Sequence, residues 1–457
     1  MNQMTSQQRK LVYLIGIIVL LVPITGLSLP ADGTKTPDGK AKNPGGLLSK
    51  LRSDYDLGES DLGDVDASGA AVNLVLLGMR GVAVNLLWIE LDEQKDMKRW
   101  AEMQATTESI VRLQPHYEKV WDIAGWNLAY NTSAEWDAVP DRYYWVKQGA
   151  KLLKRGVARN KKSTELYYRM GKVLQHKIGL ADESVEYRSY FLKDPDPAFN
   201  GGPDPSINPD GRDNYLVAKD WFTDACEREL NRPQHILDRT LFRATPERCQ
   251  FDYAQGLQKD GHFGEATREA WELARLDWTE KYGREVFHAV IGGNEESDIR
   301  METSLEEIEE QYKAPEDQIR IKRAVDAYQK MVNYRYWRMR ANAEAEHEMA
   351  EAHRSFYEAK QLYKDQELLK ARASAFNAME GFDKLFKRPE YASLVDEDLL
   401  CEECVLGWKI WDDTYQLGQE KPPETFPMDW LINVKRQNEY IMKNIEKQFK
   451  RLLLEGK

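Results

Sequence analysis

The sequence predicts an all-α protein, an α-solenoid of helical hairpins preceded by one N-terminal transmembrane helix, and three observations carry that reading. Past the N-terminal region, helix-forming stretches with apolar residues spaced three and four apart recur to the end of the chain. No alternating run of β-branched residues lasts more than a few positions. The pattern Trp121-x-x-Ala124-Gly125-x-x-Leu128 returns as Tyr167-x-x-Met170-Gly171-x-x-Leu174. A bulky ring followed at a fixed distance by a glycine is what two closely packed helices of a repeated hairpin require.

The transmembrane helix is read from residues 11–29, nineteen positions without a charge directly after Arg9 and Lys10, long enough to cross a bilayer. A cleaved signal peptide has the same basic start with a shorter apolar run, so both readings stand. Lysines on the far side leave the charge rule undecided, and short basic N-tails stay in the cytoplasm. The bulk of this single-pass membrane protein is therefore expected outside it. Residues 30–66 form a flexible linker, because the stretch up to Pro44 is built mostly from Pro, Gly, Lys, Asp and Thr. A second apolar stretch, Ala71 to Leu91, contains Arg80, whose placement at mid-bilayer would cost ~2.5–3.5 kcal/mol. It is expected as helices packed on both sides within the soluble part, with a second span as the alternative.

Repeats are expected over residues 67–193. The first unit runs from Val84 to Pro115, where proline ends its second helix. The next begins at Trp121, and a helix from about Arg142 to Arg159 precedes the third. Gly125 and Gly171 are 46 residues apart against ~34 in the commonest helical-hairpin repeat, so about twelve residues must be inserted. The turn-like composition of Asn131 to Pro140 can hold most of them. Residues 194–213, with five prolines and three glycines, form a loop. A second helical repeat region follows over 214–300, including a hairpin from Cys249 to Leu276. Residues 301–457 form long C-terminal helical hairpins: helix runs almost unbroken from Leu305 to Phe386, and Met428 to Leu454 makes a closing amphipathic helix.

These repeats resemble a tetratricopeptide-type solenoid. The strings GVAVNLLWIELDEQ, LQPHYEKVWDIAGWNLAYN and LYYRMGKVLQHKIG, with the later NYRYW at Asn333 to Trp337, resemble a family of membrane-anchored bacterial proteins well represented in planctomycetes. Its members carry the label "iron responsive element", which names an RNA structure and implies no activity. In tetratricopeptide repeats the groove side chains come from positions two, five, nine, twelve and thirteen of the first helix. The resemblance therefore implies Lys119, Asp122, Trp126, Ala129 and Tyr130 in one repeat, and Glu165, Tyr168, Lys172, Gln175 and His176 in the next.

Composition narrows the chemistry. With 76 acidic against 64 basic side chains the chain carries a net −12, and 42% apolar residues suffice for a core. A disordered chain, a polytopic membrane protein and a nucleic-acid binder acting through overall positive charge are excluded. Any anion site must be local. Cys401-Glu402-Glu403-Cys404 is the only paired cysteine motif; it reads as packed thiols, a disulfide, or a redox or metal pair, although flanking glutamates would raise a thiol pKa. His347 and His353 are six residues apart, about 120° around a helix, which does not suit a zinc protease. The loop lacks the glycine and the bidentate glutamate of an EF-hand, leaving only loose calcium binding. Six cations between Lys151 and Lys162 either complement a helix C-terminus or meet an anionic partner.

No nucleotide-binding or acyl-transfer motif occurs. The expected function is a non-enzymatic, membrane-tethered scaffold without a cofactor, which binds a protein or peptide partner in a concave groove and the membrane through residues 11–29. The alternatives are that the chain itself fills this groove, or that the protein is an extracytoplasmic dithiol redox or metal-binding protein using Cys401 and Cys404. Nothing in the sequence sets the oligomeric state.

Overall fold

The structure, a computed structural model, describes residues 46–47, 80–231, 236–292, 295–396 and 398–455. The expected transmembrane helix at 11–29 lies outside the described residues, as does the linker at 30–66 apart from residues 46 and 47. Among the described residues no helix is long and apolar enough to cross a membrane. The chain is mostly helical and divides into two compact units, residues 1–166 and residues 167–457.

In the first unit, α1 (Arg80–Asp96) packs along α2 (Trp100–Leu113), and α3 (Glu118–Trp126) packs along α4 (Val139–Arg159). Helix α1 buries Val84 and Leu91 but exposes Val82, Leu86 and Ile89, so the described part of the Ala71–Leu91 stretch, from Arg80 on, is packed on one side. Helix α4 starts with Pro140 and Asp141 in its first turn, where a missing N–H and a negative charge are both favourable. Asn160 closes it, its Nδ2 donating to the carbonyls of Gly156 and Pro115. The indole of Trp121 donates to the same Pro115 carbonyl at 2.9 Å, so one carbonyl ties the turn between hairpins to both of the following helices.

Helix α3 does not stop at Trp126. It continues as a π-helical segment over Asn127–Thr132, and only Glu135 to Ala138 are non-helical before α4. The extra length of the repeat therefore sits in lengthened helices, not in a loop at 131–140. Those helices touch at glycine. A Cβ on Gly149 would lie 2.6 Å from the Gly125 carbonyl oxygen and 2.8 Å from Ala129.

Helix α5 (Thr164–Lys172) repeats the pattern, running into a π-helical segment at Val173–Ile178. The second unit goes on with α6 (Ser184–Leu192), the 194–213 loop, α7 (Asn214–Asn231), α8 (Arg239–Arg243), α9 (Thr245–Lys259) and α10 (Glu265–Leu276). Helix α10 also ends in a π-helical segment, Asp277–Tyr282. Two strands then correct the all-helical expectation for 214–300. Strands β1 (Phe287–Gly292) and β2 (Glu295–Ile299) pair antiparallel, Phe287 opposite Ile299. Phe287, Ala289 and Ile299 are buried against the helical core; the hairpin is too short to show as a periodic run.

The C-terminal part is α11 (Leu305–Gln311), α12 (Pro315–Met331), α13 (Tyr334–Glu344), α14 (His347–Lys364), α15 (Leu368–Phe386), α16 (Asp398–Leu417), α17 (Asp429–Lys435) and α18 (Glu439–Glu455). The almost unbroken helical stretch expected from 305 to 386 is divided into five helices, with Asn333 and Gln366 in the left-handed conformation at two of the breaks. The closing helix is likewise divided at Arg436 to Asn438. One apolar core extends from Ala244 to Leu452.

Gly149→Ala is expected to destabilise the chain by about 1–3 kcal/mol, because its methyl group meets backbone that cannot rotate away. Gly81→Ala, with nothing within 4 Å, should be neutral or slightly stabilising. Chemical denaturation of the two variants side by side checks this.

Candidate functional site

The first unit carries six of the side chains implied for a groove, Lys119, Asp122, Trp126, Ala129, Tyr130 and Glu165. Lys119, Trp126 and Tyr130 lie along one face of α3 and its π-helical extension, joined by Ile123, which sequence reasoning overlooked. Trp126 is 46% and Ile123 43% exposed, and the rings of Trp126 and Tyr130 stack at 5.7 Å. The Lys119 ammonium donates to Glu165 at 2.5 Å, and that pair raises its pKa. Asp122 is buried and 3.5 Å from Lys119. Ala129 is fully buried where α3 meets α4. These two are interior positions.

In the second unit Tyr168 is also interior, 6% exposed, with ring centroids of Phe222 and Phe242 at 5.2 and 5.6 Å. It fills the core and is unavailable to a partner. Gln175 donates to Asp252 at 2.7 Å. His176 is exposed, and its pKa is lowered by partial burial and by Lys172 and Lys177. Burial lowers the Lys172 pKa as well.

Cys401 and Cys404 are free thiols, each 1% exposed, on the core face of α16. Burial pushes the Cys404 thiol well above its ordinary value, opposite to the shift an attacking dithiol needs. Cys226 and Cys249 are buried too. Among the described residues no three His, Cys, Asp or Glu side chains converge as metal ligands. The basic run after Lys151 is engaged: Arg155 pairs with Glu108, donating through Nη2 at 2.8 Å.

A feature that no local motif announced lies within the second unit. A cavity of about 740 Å³ is lined from α6, α9, α13, α14, α16 and α18. Its wall contains a buried charge network. His353 sits between two carboxylates, Nε2 3.1 Å from Glu344 and Nδ1 2.7 Å from Glu403. Glu344 also accepts from Arg340 at 3.2 Å and Gln258 at 2.8 Å, and Arg340 donates to the Tyr336 hydroxyl at 3.1 Å. Burial alone would push the His353 pKa down, but Glu344 and Glu403 outweigh it and raise the value to about 10. Burial would raise Glu344; His353 and Arg340 overcome it and hold the carboxyl down at about 2. The imidazolium is therefore charged at neutral pH.

Lys259, the last residue of α9, opens on the same cavity. It is exposed to solvent there, and desolvation lowers its pKa against the opposing pull of Asp252 and Glu403. The sequence singled out His353 and Glu403 only within other motifs; Tyr336, Arg340 and Glu344 share α13 at one-turn spacing, while His353, Glu403 and Gln258 come from three other helices. The chain matches no protein-family model, no curated protein and no solved structure.

His353→Gln removes the cation that faces Glu403 and leaves Glu344 with Arg340 as its only charged partner among the described residues, and is expected to cost about 3–5 kcal/mol near pH 6. The imidazolium has a folded pKa above its unfolded value. Its contribution is thus fully present below about pH 6.5 and lost as pH rises through about 10. Urea unfolding across that window should show the wild type losing its advantage over the variant; parallel curves would contradict the charged-imidazole assignment.

Proposed function

We propose that the chain is a non-enzymatic, membrane-tethered scaffold of tetratricopeptide-like helical hairpins that holds a protein or peptide partner on the outer side of the membrane. The observation that carries this reading is the stripe of Lys119, Ile123, Trp126 and Tyr130. Large apolar side chains normally leave the surface, and a half-exposed tryptophan stacked on a tyrosine beside a lysine has the composition of a binding hot spot. The repeat reading is supported by recurrence: α3 with its π-helical extension and α5 with its own are displaced by 46 residues, element for element. The tether rests on the apolar run at 11–29. The raised Cys404 pKa gives the dithiol alternative no support.

The test is cross-linking in the native membrane. The Trp126→Ala/Tyr130→Ala double variant should lose the partner that the wild type captures, with its unfolding midpoint preserved; capture of the same partner in the same yield would overturn the assignment. Tyr168→Ala should instead destabilise by about 3–5 kcal/mol, as a buried aromatic does.

A further inference from the structure

We propose that the partner of the first unit is a cationic amphipathic helix that sets its apolar side into a cleft between α1 and α3. This rests on the reading of the Lys119 to Tyr130 stripe as a partner surface, and it names the chemistry of what that surface binds. The cleft has a volume of about 640 Å³, and its lining includes Val84, Asn85 and Trp88 of α1, Tyr117 just before α3, and Ile123 of α3. Tyr117 is 53% exposed. Ile123 belongs to both the cleft and the stripe, which makes them one surface, and exposed apolar surface of that extent marks an interaction site.

Charge selects the sign of the occupant. The last two turns of α1 carry Glu90, Asp92, Glu93 and Asp96 against Lys95. Asp92 follows Trp88 by one helical turn, on the ridge that borders the cleft. Lys95 is 3.9 Å from it, too far for a hydrogen bond. The cations just beyond α1 are engaged elsewhere, Lys98 by Glu135 and Arg99 by Glu102 at 2.9 Å. On the α3 side Lys119 brings no surplus of positive charge, since Glu165 and Asp122 lie 2.5 and 3.5 Å from it. An apolar floor with an acidic rim attracts basic partners and turns acidic ones away. The walls select a helix. Both are helix surfaces that present side chains, and the first unit has no strand among the described residues. An extended segment laid there would leave backbone N–H and C=O groups unmatched against apolar side chains, whereas a helix satisfies its own.

The experiment puts p-benzoylphenylalanine in place of Tyr117 in the full chain, held in phosphatidylcholine nanodiscs. Two labelled peptides are offered in separate arms, an amphipathic helix of leucine and lysine and its leucine-glutamate counterpart. Irradiation is expected to join the leucine-lysine peptide to position 117. Anisotropy titration should show it binding at least roughly tenfold more tightly than the leucine-glutamate peptide. Ile123→Ser should weaken it by roughly fivefold, and Asp92→Lys by roughly threefold. Both variants should keep the unfolding midpoint, because both side chains are exposed. The proposal is overturned by binding no greater than to empty discs, by equal affinity for the two peptides, or by unchanged affinity in both variants. It is equally overturned if position 117, with the peptide present, joins instead to residues 71–79 of its own chain, to a second copy or to lipid. Capture of a native partner that depends on Trp126 and Tyr130 would then still uphold the scaffold reading, which does not require a basic helix.

Discussion

The second unit depends on a knot of aromatic rings around Phe251. Its ring centre lies 6.0 Å from Trp271, 5.6 Å from Trp278 and 4.8 Å from Trp337, which fixes α9, α10 and α13 to one another. Trp278 adds a directional bond, its indole donating to the Tyr334 carbonyl at 3.1 Å. With α9 and α13 so placed, Gln258 can reach Glu344, and the Arg340 guanidinium comes within 5.8 Å of the Trp271 ring. The charged wall of the cavity is thus positioned by an apolar contact. This order of dependence is physically reasonable, because a buried charge network is weak as glue and demanding in geometry, whereas ring packing tolerates small errors and supplies most of the burial.

The three π-helical segments among the described residues belong to the same logic. Each follows directly on an α-helix and ends near a glycine or a short turn, at Asn127–Thr132, Val173–Ile178 and Asp277–Tyr282. A π-turn widens the helix and rotates everything beyond it. In the last case it brings Trp278 and Tyr282 together at 4.8 Å, stacked, with Tyr334 against Trp278 at 5.3 Å. In the first it carries Leu128, Ala129 and Thr132 into the core while Trp126 and Tyr130 stay outside. Widening is a way of keeping a long first helix in contact with its partner on one side without burying the other, and it accounts for a repeat longer than the usual one.

Much of the helical order was legible because it is written in local signals: proline after Gln114, the Trp121 and Tyr167 registers, the proline-rich loop. What escaped was set by contacts distant in sequence. The β1–β2 pair is only a few residues per strand and is held by Phe287 and Ile299 reaching the core. Helix breaks at Asn333 and Gln366 use left-handed residues where glycine would have been the visible marker. Ile123 is not among the tetratricopeptide groove positions, although it lies four residues after Lys119 and three before Trp126 within α3 and so shares their face. Tyr168 was assigned to a surface because register alone does not say that Phe222 and Phe242 come to cover it.

The cysteine motif shows how a visible pattern and the consequential residues can be neighbours without being the same. On a helix, positions three apart share a face, so Cys401 and Cys404 both turn into the core, where burial leaves them inert. The two residues between them must then point elsewhere. Glu402 meets Asn444 and Gln448 of α18, and Glu403 meets His353 of α14. The thiols anchor α16 by packing, and that anchorage aims both carboxylates at the cavity wall. Exchanging either thiol for a larger apolar side chain would act on the cavity through helix position, while exchanging Glu403 would act on it through charge, and the two effects separate on the pH dependence of His353 alone.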